Sequence, residues 1–291
     1  MNYRRIAKIV ANHQLVAVGE STHGTHEFFE SKAQLFKELV KNHGFNTLLL
    51  EDSADSCLKI NNYIQTASGD LNQLMTSLYS VWCVEEFKGL IKWLKDNNKD
   101  YPVQFIGFDI NQTVENIKRR DELMAKNIVN YLKTNQNIKA LIWAHNAHIK
   151  YFGHHKNEKP MGMFLRKSVG ANYFAIAQFF GCGTLSATII HETDPDSPNR
   201  SLIPVVVNTI PNNFLESKLH KIDDQPYYLD NLEITKHEIF NQTYRCWSFG
   251  WGLMLKYLDQ QIERINPVED FSLLIYFSEA KHSRPLIRKM V

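Results

Sequence analysis

A glutamate and a histidine three residues apart, Glu20 and His23, close the apolar run in Leu15-Val16-Ala17-Val18-Gly19-Glu20-Ser21-Thr22-His23-Gly24. An imidazole beside a carboxylate is held in one tautomer and made a better base, as activation of a water molecule requires. Other apolar runs also end in ionisable groups: Thr47-Leu48-Leu49-Leu50 in Glu51, Val103 to Phe108 in Asp109, and Leu141-Ile142-Trp143-Ala144 in His145, with His148 three residues on. Gathered in one crevice, such groups would shift one another's pKa values through burial and mutual charge. A second histidine or a cation there could stabilise a developing oxyanion or protonate a departing oxygen.

Each residue alone has a plainer reading. Glu20 and Asp109 could cap helices, His23 could sit in an exposed turn, and His145 and His148 could be one core and one surface histidine. Glu51 says more, because an acid placed directly after three leucines borders a desolvated region and must find a partner. The coincidence at four strand ends favours a shared site. No nucleophile is advertised: there is no Gly-x-Ser-x-Gly elbow, and Ser21 is a weak candidate beside Glu20. The His-Glu-x-x-His pattern is absent, although Glu20, His23, Glu51 and His145 could form a mixed nitrogen and oxygen metal site.

The elements that must position these groups alternate. The run at Leu15 is a buried strand by its apolar character, and the polar turn after it leads to a helix from Thr25 to His43. Phe28, Phe29, Phe36, Leu39 and Val40 line one face of that helix, Thr25 is its expected N-cap, and Gly44 its stop. With the strand ending at Glu51 this makes one βαβ unit. Helices are expected over about 54–66, 70–78 and 84–97, a strand over 103–109, and one long polar helix over about 114–133 before the His145 strand. A helix at 161–169 follows, then two strands at 173–180 and 184–191, with Gly181-Cys182-Gly183 as a hairpin turn. A loop at 194–199, a short strand at 204–207, a helix near 213–219 and a strand at 271–277 complete the map. The fold class is α/β: one domain over residues 1–291, with a central, mostly parallel sheet flanked by helices on both faces.

Composition narrows the function classes. The chain is 44% hydrophobic and carries 33 basic against 31 acidic residues. It can therefore bury a full core, and it shows no basic footprint for nucleic acid. A short C-terminal cluster at Arg284, Arg288 and Lys289 reads as a solvated tail. No apolar run approaches the ~18 residues of a membrane span. Cys57, Cys83, Cys182 and Cys246 show no Cys-x-x-Cys spacing, against both a zinc site and a disulfide framework. Residues 1–7 lack a signal peptide's apolar core, so a reducing cytoplasm is the expected compartment.

In order and spacing, Gly19 to Phe29, Gly44 to Glu51, Gly107-Phe108-Asp109 and Trp143 to His148 resemble the erythromycin esterase family, with weaker likeness through 161–165 and 284–286. The resemblance implies a single α/β domain that hydrolyses an ester or lactone by a directly activated water, with no cofactor. It implies His23 as general base, Glu20 and Glu51 as its supporting acids, and His145 and His148 as the family's histidine pair. Lys32, Asp109 and Trp143 are the expected substrate contacts. A family arginine falls at Lys32 here, where a point charge replaces a planar fork of donors. Only 35 residues separate Asp109 from His145, room for one helix, and this suits a substrate smaller than a macrolide.

The expected partner is a small molecule or modified peptide. One competing reading is a metal-dependent hydrolase or peptidase using the same Glu/His cluster. Another is a non-catalytic binding or biosynthetic accessory protein that retains the pocket. Against the latter, a binding module has no evident need for so many desolvated charges.

Overall fold

The structure, a computed structural model, describes residues 1–110, 113–135, 137–190, 202–250 and 252–286. The strands are β1 (Leu15–Val18), β2 (Thr47–Ser53), β3 (Gln104–Asp109), β4 (Ala140–Trp143), β5 (Tyr173–Ile189), β6 (Leu202–Val207), β7 (Tyr227–Asp230), β8 (Tyr244–Trp247), β9 (Gly252–Leu253), β10 (Ile262–Ile265) and β11 (Leu273–Ala280). The helices are α1 (Tyr3–Val10), α2 (His26–His43), α3 (Ala54–Thr66), α4 (Leu71–Met75), α5 (Glu85–Asn97), α6 (Val114–Ile117), α7 (Arg120–Thr134), α8 (Asn146–Ile149), α9 (Met161–Val169), α10 (Leu215–His220), α11 (Asn231–Lys236) and α12 (Pro267–Asp270).

The main sheet runs β3-β2-β4-β1-β5-β11-β7, with β6 and β9 also paired to β5. From β3 to β11 every neighbouring pair is parallel, and β7 and β6 add antiparallel margins. Alternation of side chains divides the core between the two faces of the sheet. Val16, Val18, Leu141 and Trp143 face α1, α2, α3 and α5, whereas Leu15, Ala17, Ala140 and Ile142 face α7 and α9. Helices on both faces explain why the central strands read as unbroken apolar runs. The expected α/β architecture is the one observed.

Local signals act largely as the sequence suggests. Gly44 closes α2 in the left-handed region (φ 71°), and its N–H bonds the Leu39 carbonyl. Thr25 occupies the N-cap position of α2, but its hydroxyl makes no capping bond.

Two expectations are corrected. Gly181-Cys182-Gly183 is not a hairpin turn: β5 runs straight through it and pairs with β11 on one side and β6 on the other. Gly183 has φ 120°, and a Cβ there would collide with the Ala280 carbonyl oxygen. The glycine thus permits a close backbone approach rather than a reversal. The expected single helix before β4 is divided into α6 and α7, with the break at Lys118 and Arg119. The expected loop at 194–199 lies outside the described residues.

Candidate active site

Because β3, β2, β4 and β1 are parallel neighbours, their C-terminal ends bring Asp109, Glu51, His145 and the Glu20–His23 turn to one edge of the sheet. Ligands bind at this edge in open α/β sheets. The turn is fixed by backbone contacts. The Asn146 N–H donates to the Glu20 carbonyl at 2.8 Å, and the Ser186 N–H donates to the Gly24 carbonyl at 2.8 Å. Gly24 is required here, since a Cβ would strike the Ser186 carbonyl oxygen. On β2 the pairing with β3 is irregular: Leu50 pairs with Gly107 and Ser53 with Asp109. This bulge falls on Glu51 and Asp52, and bulges commonly re-aim side chains beside active sites.

A cavity of about 850 Å³ opens over these ends, bordered by His23, Glu51, His145, His148 and Arg120. Tyr79 to Trp82 form a further wall, and Ser53, Ile110, Ile117, Ser248, Gly250 and Gln261 complete the lining.

His23 Nδ1 lies 2.8 Å from Glu20 Oε1, and Lys32 Nζ lies 2.9 Å from Glu20 Oε2. A carboxylate paired with an ammonium is an acceptor, so Nδ1 carries the proton and Nε2 holds the lone pair. Among the described residues, Nε2 has no hydrogen-bond partner. The rings of His23 and His145 are 5.2 Å apart, and those of His145 and His148 are 6.5 Å apart.

His145 caps α8: its Nδ1 accepts from the Ala147 N–H at 3.2 Å. Burial, followed by the neighbouring His23 and His148, holds its pKa well below the usual range, with Glu51 opposing. It is therefore a neutral Nε2–H imidazole. The charge lies instead in a cluster around Arg120, the first residue of α7. Its guanidinium grips Asp109 with Nε to Oδ1 at 2.9 Å and Nη2 to Oδ2 at 2.8 Å, while Nη2 also meets Glu51 Oε1 at 2.8 Å. Glu51 Oε2 accepts from the His145 N–H at 2.9 Å. Burial works to raise the Glu51 pKa, but His148, Arg120 and His23 hold it well below the carboxylate range.

His148 Nδ1 lies 2.9 Å from Asp121 Oδ1, and Nε2 faces both Glu51 Oε1 at 3.2 Å and Arg120 Nη1 at 3.0 Å. A proton on Nε2 can thus be donated to Glu51, and without it Nε2 accepts from Arg120. Burial lowers the His148 pKa, but Asp121 and Glu51 prevail and raise it to about 10.

Lys32, Trp143 and Asp109, expected to contact substrate, do not border this cavity. Lys32 is wholly buried, bonded also to the Ala144 carbonyl at 3.2 Å, with its ammonium 5.0 Å from the Trp143 ring centroid. Trp143 packs beneath the site against Phe29, Trp82 and Phe87. Asp109 is spent on Arg120 and on the Tyr79 hydroxyl, which donates to it at 3.2 Å. Apolar periodicity could not show that these side chains lie behind the surface rather than on it. Sequence reasoning also missed Arg120, Asp121 and the Tyr79–Trp82 wall. The one available signal was the Arg120-Asp121 pair, hidden in what reads as a continuous polar helix.

At the strand ends Glu20 Oε2 is paired with Lys32, and Glu51 Oε1 and Asp109 are paired with Arg120. Among the described residues, the group whose ligand atoms lie within 4.8 Å of one another is His155, Glu158 and Glu263. There the Lys150 ammonium pairs with both glutamates and supplies the positive charge.

The family model for erythromycin esterase matches residues 40–119 and 111–280. Erythromycin esterase type II of Escherichia coli is 29% identical over 111 residues, 38% of this chain and 26% of that protein. The match thus spans about a quarter of that relative's length. Among solved structures, a succinoglycan biosynthesis protein superposes with a TM-score of 0.74 at 19% identity, covering 96% of this chain and 91% of the other. A mutant of the erythromycin esterase EreC in its open conformation gives 0.73 at 14% identity, covering 99% and 95%. At these identities the structural likeness speaks for the fold.

Proposed function

This chain belongs to the erythromycin esterase family, and we propose that it hydrolyses a carboxylic ester or lactone with a water activated by His23, without a covalent enzyme intermediate. The observation that carries this reading is the Glu20–His23–cavity arrangement: Nδ1 is fixed on Glu20 at 2.8 Å, and the ring borders the cavity. Nε2 takes a proton from water as its oxygen attacks the carbonyl carbon. Negative charge then grows on the carbonyl oxygen, and the Arg120 guanidinium, prealigned by Glu51 and Asp109, stabilises it. When the carbon–oxygen bond breaks, His148 Nε2 protonates the departing alkoxide, and Arg120 is already in place to donate to the bare nitrogen. The two histidines then re-equilibrate through solvent, leaving an acid and an alcohol.

Serine chemistry is disfavoured by geometry. Ser21 is buried and does not border the cavity. Ser53, Ser80 and Ser248 do border it, but none shows a hydrogen bond to a histidine among the described residues. The test is a screen of aryl esters, alkyl esters and lactones, erythromycin included, with His23→Asn as control. The variant should fold normally and lose ~10²–10⁴-fold in kcat; equal activity in the two proteins would remove His23 from the mechanism.

A further inference from the structure

Asp52 follows Glu51 at the bulge of β2, yet it is wholly buried and does not border the cavity. Its two oxygens are committed to backbone. Oδ1 accepts from the Ser53 N–H at 2.6 Å, and Oδ2 accepts from the Tyr79 N–H, 27 positions away in sequence, also at 2.6 Å. Tyr79 opens the Tyr79–Trp82 wall of the cavity, and that wall has other ties to the strand ends. The Tyr79 hydroxyl reaches Asp109 Oδ2 at 3.2 Å, and Trp82 Nε1 donates to the Glu51 carbonyl at 3.3 Å. The anchor at Asp52 is a charge-assisted bond, roughly twice as strong as a neutral one such as that of Trp82, and unlike the bond of the Tyr79 hydroxyl to Asp109 it holds the main chain of the wall.

We propose that Asp52 is a positioning residue that sets the Tyr79–Trp82 wall at its working distance from Glu51, so that substrate affinity depends on its carboxylate. The substrate-affinity part rests on the hydrolase reading above. Burial raises the Asp52 pKa, to about 6, against the lowering effect of the Tyr79 and Ser53 N–H groups. The ionisable groups facing it are Asp109 on β3, the Cys57 thiol on α3 and the Tyr79 phenol. Arg120 partly neutralises Asp109. Protonation of Asp52 turns a two-oxygen acceptor into a poorer one, so acid should slacken the wall while the Glu20–His23 pair stays in place.

The experiment compares wild type with Asp52→Asn on p-nitrophenyl acetate from pH 5 to 8, together with hydrogen exchange at pH 7.5. At pH 8 the variant should show KM raised about tenfold, the loss expected for one charged hydrogen bond, with kcat within about threefold. Wild-type KM should climb as pH falls through 6, and the variant's should stay flat. Exchange in a peptide covering 78–84 should be faster in the variant and unchanged in β4. Wild-type behaviour of the variant in KM, pH profile and exchange would overturn the proposal. Should Asp52→Asn fail to fold, Tyr79→Phe decides: it keeps the backbone anchor, so its KM must still climb below pH 6, and a flat profile counts against Asp52. If wild type hydrolyses no ester, the hydrolase reading falls, and the exchange comparison alone decides whether Asp52 holds the wall.

Discussion

Lys32 Nζ lies 2.9 Å from Glu20 Oε2, and neither side chain has any exposed surface. The lysine therefore acts on the candidate base at one remove, by fixing the carboxylate that orients His23. Lys32→Met should cost ~3–5 kcal/mol in urea unfolding at pH 7, because it strands a buried charge. Burial pulls the Lys32 pKa down to about 8, with Glu20 opposing. The unfolded value is near 10.4, so between the two the unfolded chain binds more protons. Wild-type stability should then rise with pH across that window by roughly 3 kcal/mol, an increment missing in the variant. Equal midpoints at pH 7 would contradict this account.

Arg120 is the residue whose geometry, beyond its charge, matters most to the cavity. Lysine can satisfy one carboxylate but cannot reproduce the fork shared by Asp109, Glu51 and His148. Arg120→Lys should lower kcat about 10²-fold, in line with loss of an oxyanion donor. Melting should change less than in Arg120→Met, which leaves two buried acids uncompensated. A lysine variant with full kcat would reassign the oxyanion role.

If His148 protonates the leaving group, its removal should matter in proportion to how badly that group needs a proton. His148→Gln should slow hydrolysis of an ethyl ester by about 10²-fold and barely affect a p-nitrophenyl ester. Equal losses on both substrates would argue for a structural role.

A further pH effect sits away from the cavity. Glu216 on α10 is fully buried; one oxygen accepts from the Trp247 N–H at 2.8 Å, and burial raises its pKa to about 8. Between the unfolded value near 4.3 and that figure the folded state binds more protons. Stability from this group is complete below about pH 4 and is lost as pH rises through 8, by roughly 5 kcal/mol at most. Glu216→Gln, neutral throughout, should match wild type at pH 4.5 and exceed it at pH 8. The reverse ordering in calorimetry would refute the assignment.

Elements built on long apolar runs were legible in the sequence. Val16 and Leu141 sit in strands buried on both faces, and a central parallel strand accommodates such runs. Glu51 and His145 at the cavity followed from them, since a strand end carries its terminal side chain with it, whereas Asp109 at the end of β3 does not border the cavity. Gly181 and Gly183 misled because a glycine's freedom serves a turn and a close backbone approach equally well, and only the position of Ala280 separates the two. Arg120 escaped for a related reason. Its partners stand 11 and 69 residues away in sequence, so its meaning exists only after β2, β3 and α7 have met.

The strand order has a consequence for synthesis of the chain. β1 carries the Glu20–His23 turn, yet both of its ladder neighbours, β4 and β5, come from residues 140 onward. On the ribosome, β2 and β3 can pair early, but β1 has no ladder neighbour until residues 140 onward have emerged. The candidate general base thus follows the earliest of the sheet's described strands, and that strand is framed only after β2, β3 and β4 have been made. Chains halted at residue 139 should be cleaved readily by protease within 15–24, and chains halted after residue 190 should resist.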